Sequence, residues 1–365
     1  VNKISKSKSN GKVYPKNNMM MMRYVGMDLH KNYLQIAVVD EKGKLIENSK
    51  IENDIQKIGK FFDHINGVKI KKQNTHTKVV MESSCVWYYI YEYLTEEKNL
   101  NVKLSNPIKT RAIASAKIKT DKLDAIKLAN LLRGGYISEC YVPDKRIIEL
   151  RELVRHRSAL VRMRTKLKNK IHGILLMKGI KIINHHPFSI GYIEQLKKLN
   201  NYRIDTYIRL FSSIDNEIRT ISKNIISFTR QNATTKLLMT IPGIGYYSAL
   251  LVMSEIGDIS RFPDSNHLCS YAGLVPSTHS SGGITHHGPI TKTGSKYLRW
   301  IMIECTRSHV RYNKKSNVTT FYNKLLKNKG SSSKAIIAAS SKLLKIIYWI
   351  MKEKREYTNK INNQN

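Results

Sequence analysis

The chain has 365 residues, 63 Lys+Arg against 27 Asp+Glu, and a formal net charge of +36. An excess of that size goes beyond what solubility requires and points to a polyanion, whose phosphates release condensed counterions as Lys and Arg neutralise them. With 41% hydrophobic residues the chain can bury a sizeable core over two or three domains.

Residues 1–22 carry Lys3, Lys6, Lys8, Lys12 and Lys16, no acid, and a run of methionines. They read as a disordered basic arm or an upstream-start extension, outside the fold. From Arg23 to residue 140 the pattern is α/β. Strands are expected at 24–28, 34–39 and 45–51, with a hairpin turn at 41–44. A helix at 55–65, a strand at 78–82, a helix at 87–94, a strand at 101–104 and a helix over 121–132 follow. Three strands in a meander and then alternating helix and strand predict a ribonuclease-H-like domain.

Between 141 and 232 the period changes. Leu153, Leu160, Leu167 and Ile174 recur every seven residues, beside a row formed by Ile147, Val154 and Val161. After a break near 185–187, Ile204, Ile208, Phe211, Ile214, Ile218, Ile221, Ile225 and Phe228 alternate three and four residues apart. Two long helices are expected, as an antiparallel hairpin or a dimerising coiled coil. Arg155, Arg157, Arg162, Arg164, Lys166, Lys168 and Lys170 crowd the first of them, which fits a nucleic-acid backbone. A mostly α-helical domain is expected over 233–330, and a basic helix and tail over 331–365. The apolar stretch 335–351 is broken by Ser340, Ser341, Lys342 and Lys345, too short and too charged to span a bilayer. Cys85, Cys140, Cys269 and Cys305 form no CxxC pair, which argues against disulfides or zinc and suits a reducing cytosol.

Four carboxylates stand at element boundaries. Asp28 and Glu82 each end an apolar strand, where a half-buried charge is costly unless paired or bound to metal. Asp121 and Asp124, three apart, share one helix face. Any one of them alone is explained by turn capping; four together suit Mg²⁺ or Mn²⁺ and phosphodiester chemistry. Pro242-Gly243-Ile244-Gly245 forms the tight turn of a helix-hairpin-helix element, whose second helix N-terminus can hold a phosphate through Gly243 and Gly245. Between Asp264 and Glu304 there is no carboxylate, whereas Lys292, Lys296 and Arg299 are present. In that stretch Ser280 and Ser281 precede Gly282-Gly283, and a serine here can attack phosphorus if its deprotonation is assisted. His279, His286 and His287 are candidates for that assistance, although exposed loop histidines are usually bystanders. The acid for a Ser/His/Asp order is missing locally, so any activating carboxylates must come from the N-terminal domain.

Taken together, Gly26-Met27-Asp28, Val80-Met81-Glu82, the run from Lys119 to Ala129, Ile241–Gly245, Glu255–Phe262, Ser281-Gly282-Gly283 and Thr291–Arg299 resemble the motifs of one family. It is the DEDD transposases of the insertion sequence 110 group, including the Piv-type invertases and the bridge-RNA-guided recombinases. The resemblance implies a RuvC-like domain with Asp28, Glu82, Asp121 and Asp124 as metal ligands. It also implies a nucleophile at Ser281, with Ser280 leaving the register open by one residue. A covalent phosphoserine intermediate, a DNA substrate, a structured guide RNA, a homo-oligomer (dimer or tetramer) and a place in the bacterial cytoplasm at the nucleoid follow from it. Two other readings stand beside it: a RuvC-like nuclease or junction resolvase that uses water, and a non-catalytic nucleic-acid-binding protein.

Overall fold

The structure is a computed structural model that describes residues 21–67, 75–113, 120–182, 186–281 and 284–359. The arm up to residue 20, residue 185 of the break near 185–187 and the pair Gly282-Gly283 lie outside the described residues. The chain divides into two compact units, one through Val142 and one from Pro143.

The first unit opens with β1 (Met21–Leu29), β2 (Tyr33–Val39) and β3 (Leu45–Glu52), followed by α1 (Ile55–Gly67), β4 (Thr75–Glu82) and α2 (Trp87–Glu92). A π-turn at Tyr93–Glu97 leads to β5 (Asn101–Ser105), α3 (Pro107–Ile113) and α4 (Asp121–Arg133). The sheet order is β3-β2-β1-β4-β5; β1, β2 and β3 are antiparallel neighbours, and β4 runs parallel to both β1 and β5. This mixed sheet is compatible with the ribonuclease-H-like core expected from the pattern. Val25, Met27, Ile36, Val38, Val79 and Met81 pack with Ile58 and Phe62 of α1 on one face. Val80 packs with Leu128 and Leu132 of α4 in a separate cluster.

What lets α4 settle on the sheet is Gly26. A Cβ at that position would lie 2.5 Å from Ala129 N and 2.9 Å from Leu128 Cβ, and closer still to the Ala125 carbonyl. Helix and strand therefore meet backbone to backbone, a distance that no side chain permits. Thr120 caps α4, its hydroxyl accepting from Leu123 N at 3.3 Å.

The second unit is mostly helical. It contains α5 (Lys145–Met177), α6 (Ile190–Lys197), α7 (Tyr202–Gln231), α8 (Ala233–Met239), α9 (Tyr246–Ile256) and α10 (Ser265–Tyr271). After the strands β6 (Pro276–Ser281) and β7 (Ile284–Ile290) come α11 (Lys296–Tyr312), α12 (Asn317–Lys329) and α13 (Ser332–Glu353). The long helices α5 and α7 run antiparallel within one chain: Leu150 and Val154 share a core with Ile221 and Ile225, while Ile171, Ile174 and Leu175 pack with Ile204 and Ile208. The apolar seam of α7 thus finds its partner on α5, without a second copy.

Three features differ from the expectations. The stretch around Ser281 forms an antiparallel hairpin, with Ser280 opposite Thr285 and Ser281 opposite Ile284, so its histidines sit in strands. The arginines of α5 are largely spent inside the unit. Arg151 donates to the Ser254 carbonyl, Arg157 to Ser222 at 2.8 Å, and Arg164 pairs with Asp215. Finally, α13 is a core helix: Ala339, Leu343, Leu344, Ile347 and Tyr348 are fully buried, and the Tyr348 hydroxyl donates to the Phe262 and Pro263 carbonyls. Among the described residues no helix is long and apolar enough to cross a membrane. The four cysteines are free thiols.

The close approach at Gly26 generates the first prediction. Gly26→Ala should destabilise the first unit by about 1–3 kcal/mol, because the methyl must push α4 off β1. Gly67→Ala, whose Cβ would meet nothing within 4 Å, should stay within about 0.5 kcal/mol of the parent. Urea unfolding of the two variants measures the difference, and equal midpoints would remove Gly26 from its role.

Candidate active site

In the first unit, β1 ends on Asp28 and Leu29, and the turn that follows carries His30 before β2 begins at Tyr33. With α4 seated on β1, its first turn brings Asp121 beside the strand end. His30 Nε2 lies 3.2 Å from Asp28 Oδ2 and 3.5 Å from Asp121 Oδ2. The Tyr33 hydroxyl donates to Asp121 Oδ2 at 2.8 Å, and the Tyr33 ring stacks on His30 with centroids 4.6 Å apart. Lys50 Nζ lies over the Tyr33 ring, 3.7 Å from its centroid. Asp28, His30 and Asp121 each offer a ligand atom within 4.8 Å of the others.

Asp28 is held above the usual carboxylate range, chiefly by burial; His30 works against that, and the negative charges of Asp121 and Asp124 add to it. Tyr33 is raised mainly by its hydrogen bond to Asp121. Asp124, on the same face of α4, pairs with Lys127 at 3.0 Å. Glu82 stands at the end of β4. Met27 and Met81 are register partners on parallel strands, so Asp28 and Glu82 are the next residues along each. The structure brings Asp28 and Asp121 together around His30; Glu82 and Asp124 flank that trio without joining it.

Sequence reasoning passed over His30. Its only signal is position, two residues beyond a strand-ending aspartate, in a turn where polar residues are ordinary.

The serine region belongs to the second unit. Ser281 is the last residue of β6, at the end of the hairpin next to residues 282–283. The loop after β7 is tied down by backbone contacts. A Cβ on Gly273 (φ +65°) would lie 2.5 Å from the Thr293 carbonyl, and one on Gly294 (φ +74°) would collide with the Tyr271 carbonyl. Arg299 donates to the Ala272 carbonyl at 3.0 Å, so its guanidinium braces this loop. Lys292 and Lys296 are exposed.

A fully buried carboxylate anchors the region. Glu255 on α9 receives Arg155 bidentately, at 2.7 and 2.9 Å, and the Ser295 hydroxyl at 2.7 Å. Ser295 in turn caps α11, accepting from Leu298 N at 3.1 Å. Burial works against the Arg155 charge, but the hydrogen bond and charge of Glu255 outweigh it and raise its pKa. The turn from Ile241 to Gly245 joins α8 to α9. Gly243 has φ +94°, and a Cβ there would lie 2.6 Å from His309 N. Gly245 caps α9 and faces a cavity of about 400 Å³ bordered by Arg157, Tyr246 and Tyr247.

Arg155→Met should cost about 3–5 kcal/mol in urea unfolding, because it leaves the Glu255 carboxylate buried without its guanidinium. Adding Glu255→Gln to that variant should recover part of the loss. Additive losses in the pair would mean the two side chains act independently.

Against known proteins, a transposase family model of the IS110 DEDD type matches residues 25–178, and the model described as "Transposase IS116/IS110/IS902 family" matches residues 235–323. The chain is 25% identical over 357 residues to the transposase for insertion sequence element IS1111A of Coxiella burnetii, covering 93% of this chain and 92% of that one. It is 26% identical over 299 residues to the transposase for insertion sequence element IS1328 of Yersinia enterocolitica, covering 79% and 84%. It is also 26% identical over 362 residues to the pilin gene-inverting protein of Moraxella lacunata, covering 94% and 100%. With matches in both of its compact units and along nearly the full length of its relatives, the chain belongs to the IS110 family of insertion-sequence transposases, enzymes of DNA recombination.

Proposed function

We propose that the chain cleaves and rejoins DNA through a phosphoserine on Ser281, with Mg²⁺ or Mn²⁺ held by Asp28, Glu82, Asp121 and Asp124. The observation that carries this reading is the convergence of Asp28 and Asp121 on His30 at the end of β1. Burial and the neighbouring carboxylates disfavour the ionised form of Asp28, a repulsion that a hard cation relieves, and oxygen donors suit that cation. A bound divalent ion would polarise the scissile phosphate and ease deprotonation of the attacking oxygen. His30 and Tyr33 keep the two aspartates oriented, as outer partners of a metal site do.

On the serine side, the Ser281 hydroxyl oxygen bonds to phosphorus as the bond to the departing strand breaks. The hydroxyl proton ends on that departing oxygen. The protein–DNA ester conserves the phosphodiester energy, so a free strand end can reverse the step without an external energy source. Support comes from the family motifs around Ser281 and from the relative named for inverting a pilin gene, an outcome that requires rejoining. The turn carrying Gly243 and Gly245 opens α9, whose N-terminus suits a phosphate even though the Gly245 N–H itself donates to the Ser248 hydroxyl, and Lys292 and Lys296 supply charge. Arg299 contributes by bracing the loop that carries Lys292. The same reading includes a structured guide RNA, for which the net charge of +36 leaves ample capacity, and a dimer or tetramer to exchange two duplexes.

Asp28→Asn and Asp121→Asn should each abolish DNA cleavage while leaving DNA affinity within a few-fold, since neither removes a cation from the surface. Unimpaired cleavage in Asp121→Asn would take Asp121 out of the metal site.

For the nucleophile, cleaved DNA trapped under denaturing conditions should carry a peptide modified at Ser281. Ser281→Ala should bind DNA and form no adduct, and Ser280→Ala should keep most of the activity. An adduct on Ser280 would shift the register by one residue. Metal-dependent cleavage with no adduct on any serine would favour the hydrolytic nuclease.

A further inference from the structure

The second unit carries a small cleft to which nothing above gives an occupant, although one of its residues, Lys296, has been counted among the cations that face phosphate. It lies between α5 and α11, has a volume of about 270 Å³, and is lined by Ser158, Val161, Arg162, Lys296, Tyr297 and Trp300. On α11, Lys296 and Trp300 are four residues apart and Tyr297 and Trp300 three, so one helix face presents them together. On α5, Ser158 and Arg162 are spaced in the same way. No carboxylate lines the cleft. Arg162 donates to the Ser158 carbonyl at 3.3 Å and to the Tyr297 hydroxyl at 3.1 Å, and it has no acidic partner among the described residues.

The two aromatic rings differ in what already covers them. The Tyr297 ring has Arg155 at 4.9 Å and Arg162 at 5.6 Å from its centroid, which leaves it as a wall. Trp300 is 42% exposed, a large fraction for an indole. A tryptophan face open to solvent, with a guanidinium and an ammonium at its border, is the combination that stacks a base and neutralises its phosphate. At about 270 Å³ the cleft falls just under the ~300–1,000 Å³ of pockets that take drug-sized ligands. That is room for one heterocycle and too little for the face of a duplex.

We infer that this cleft binds a single unpaired nucleotide of the DNA substrate, its base stacked on Trp300 and its phosphate between Arg162 and Lys296. The inference rests on the reading that the chain acts on DNA, and it adds a preference for DNA that is locally melted or frayed. The Ser158 hydroxyl is engaged by Tyr247 and the Tyr297 hydroxyl by Arg162. The lining thus offers stacking and charge with little to read a base edge, and recognition should tolerate any sequence.

The test uses the full chain and three labelled probes: a short oligothymidylate, its duplex with oligoadenylate, and an oligouridylate of equal length. Trp300→Ala should weaken oligothymidylate binding about five- to 150-fold, the loss expected for one stacked base. Duplex binding should change less than about two-fold, and Trp300→Phe should retain most of the single-strand affinity. Equal losses on single strand and duplex would overturn the inference, as would no loss on either. A loss confined to oligouridylate would assign the cleft to RNA and overturn the DNA occupant. A changed oligomer mass in Trp300→Ala would make this face an interface between copies and overturn it too. Duplex binding and cleavage by the parent chain judge the transposase reading separately, so a failure of one is not mistaken for a failure of the other.

Discussion

At Gly26 the main chain of β1 lies against the main chain of α4, with the Ala125 carbonyl and the Ala129 amide where a side chain would otherwise stand. The carboxylate cluster depends on that contact. Asp28 is fixed by the sheet, two residues beyond Gly26, and Asp121 and Asp124 are fixed by the first turn of the helix. Hold the helix farther off by the thickness of a methyl group and His30 can no longer reach both aspartates, since its separations from them are already 3.2 and 3.5 Å. The alanines at 125 and 129 serve the same end from the helix side. Small residues on both partners turn a packing contact into a metrical one.

The second unit is organised by the opposite device, long side chains brought inside. Arg155 and Glu255 join α5 to α9, Ser295 links that pair to the start of α11, and Arg299 ties the loop before α11 to the turn after α10. Arg157 lies over Tyr247, and Lys168 lies against the paired rings of Phe188 and Phe211. Cations of this kind contribute through stacking, hydrogen bonds and their aliphatic stems. They hold the frame from which the hairpin and its serine project, and they are not available in full to phosphates.

The sheet was legible in the sequence because buried strands read as short apolar runs and its hairpin has a distinct turn. Asp28 and Glu82 stood out for the same reason, as charges that end such runs. The helix seam was equally plain in α7; what one sequence does not contain is the partner that fills it, here α5 of the same chain. The β6–β7 hairpin was hidden because Ser, Thr, His and Gly give no apolar alternation. The arginines of α5 suggest a nucleic-acid backbone when taken alone, because Glu255, which takes up Arg155, lies 100 residues away along the chain. His30 was missed because a histidine in a turn carries no signal until the helix that faces it is in place.

The position of α13 has a kinetic consequence. The core of the first unit draws on residues no later than Val142, so it can close while the rest of the chain is still being synthesised. In the second unit, Leu238, Ile241 and Leu268 share their core with Leu343, Leu344, Ile347 and Tyr348 of α13. At typical elongation rates the interval from the end of α10 at Tyr271 to the start of that helix at Ser332 is roughly three to twelve seconds. Throughout it, the apolar faces of α8, α9 and α10 lack the surface that finally covers them, a window in which a chaperone or a neighbouring nascent chain can compete for them. A polypeptide released before α13 would carry a finished carboxylate cluster on its first unit and an open, adhesive second one.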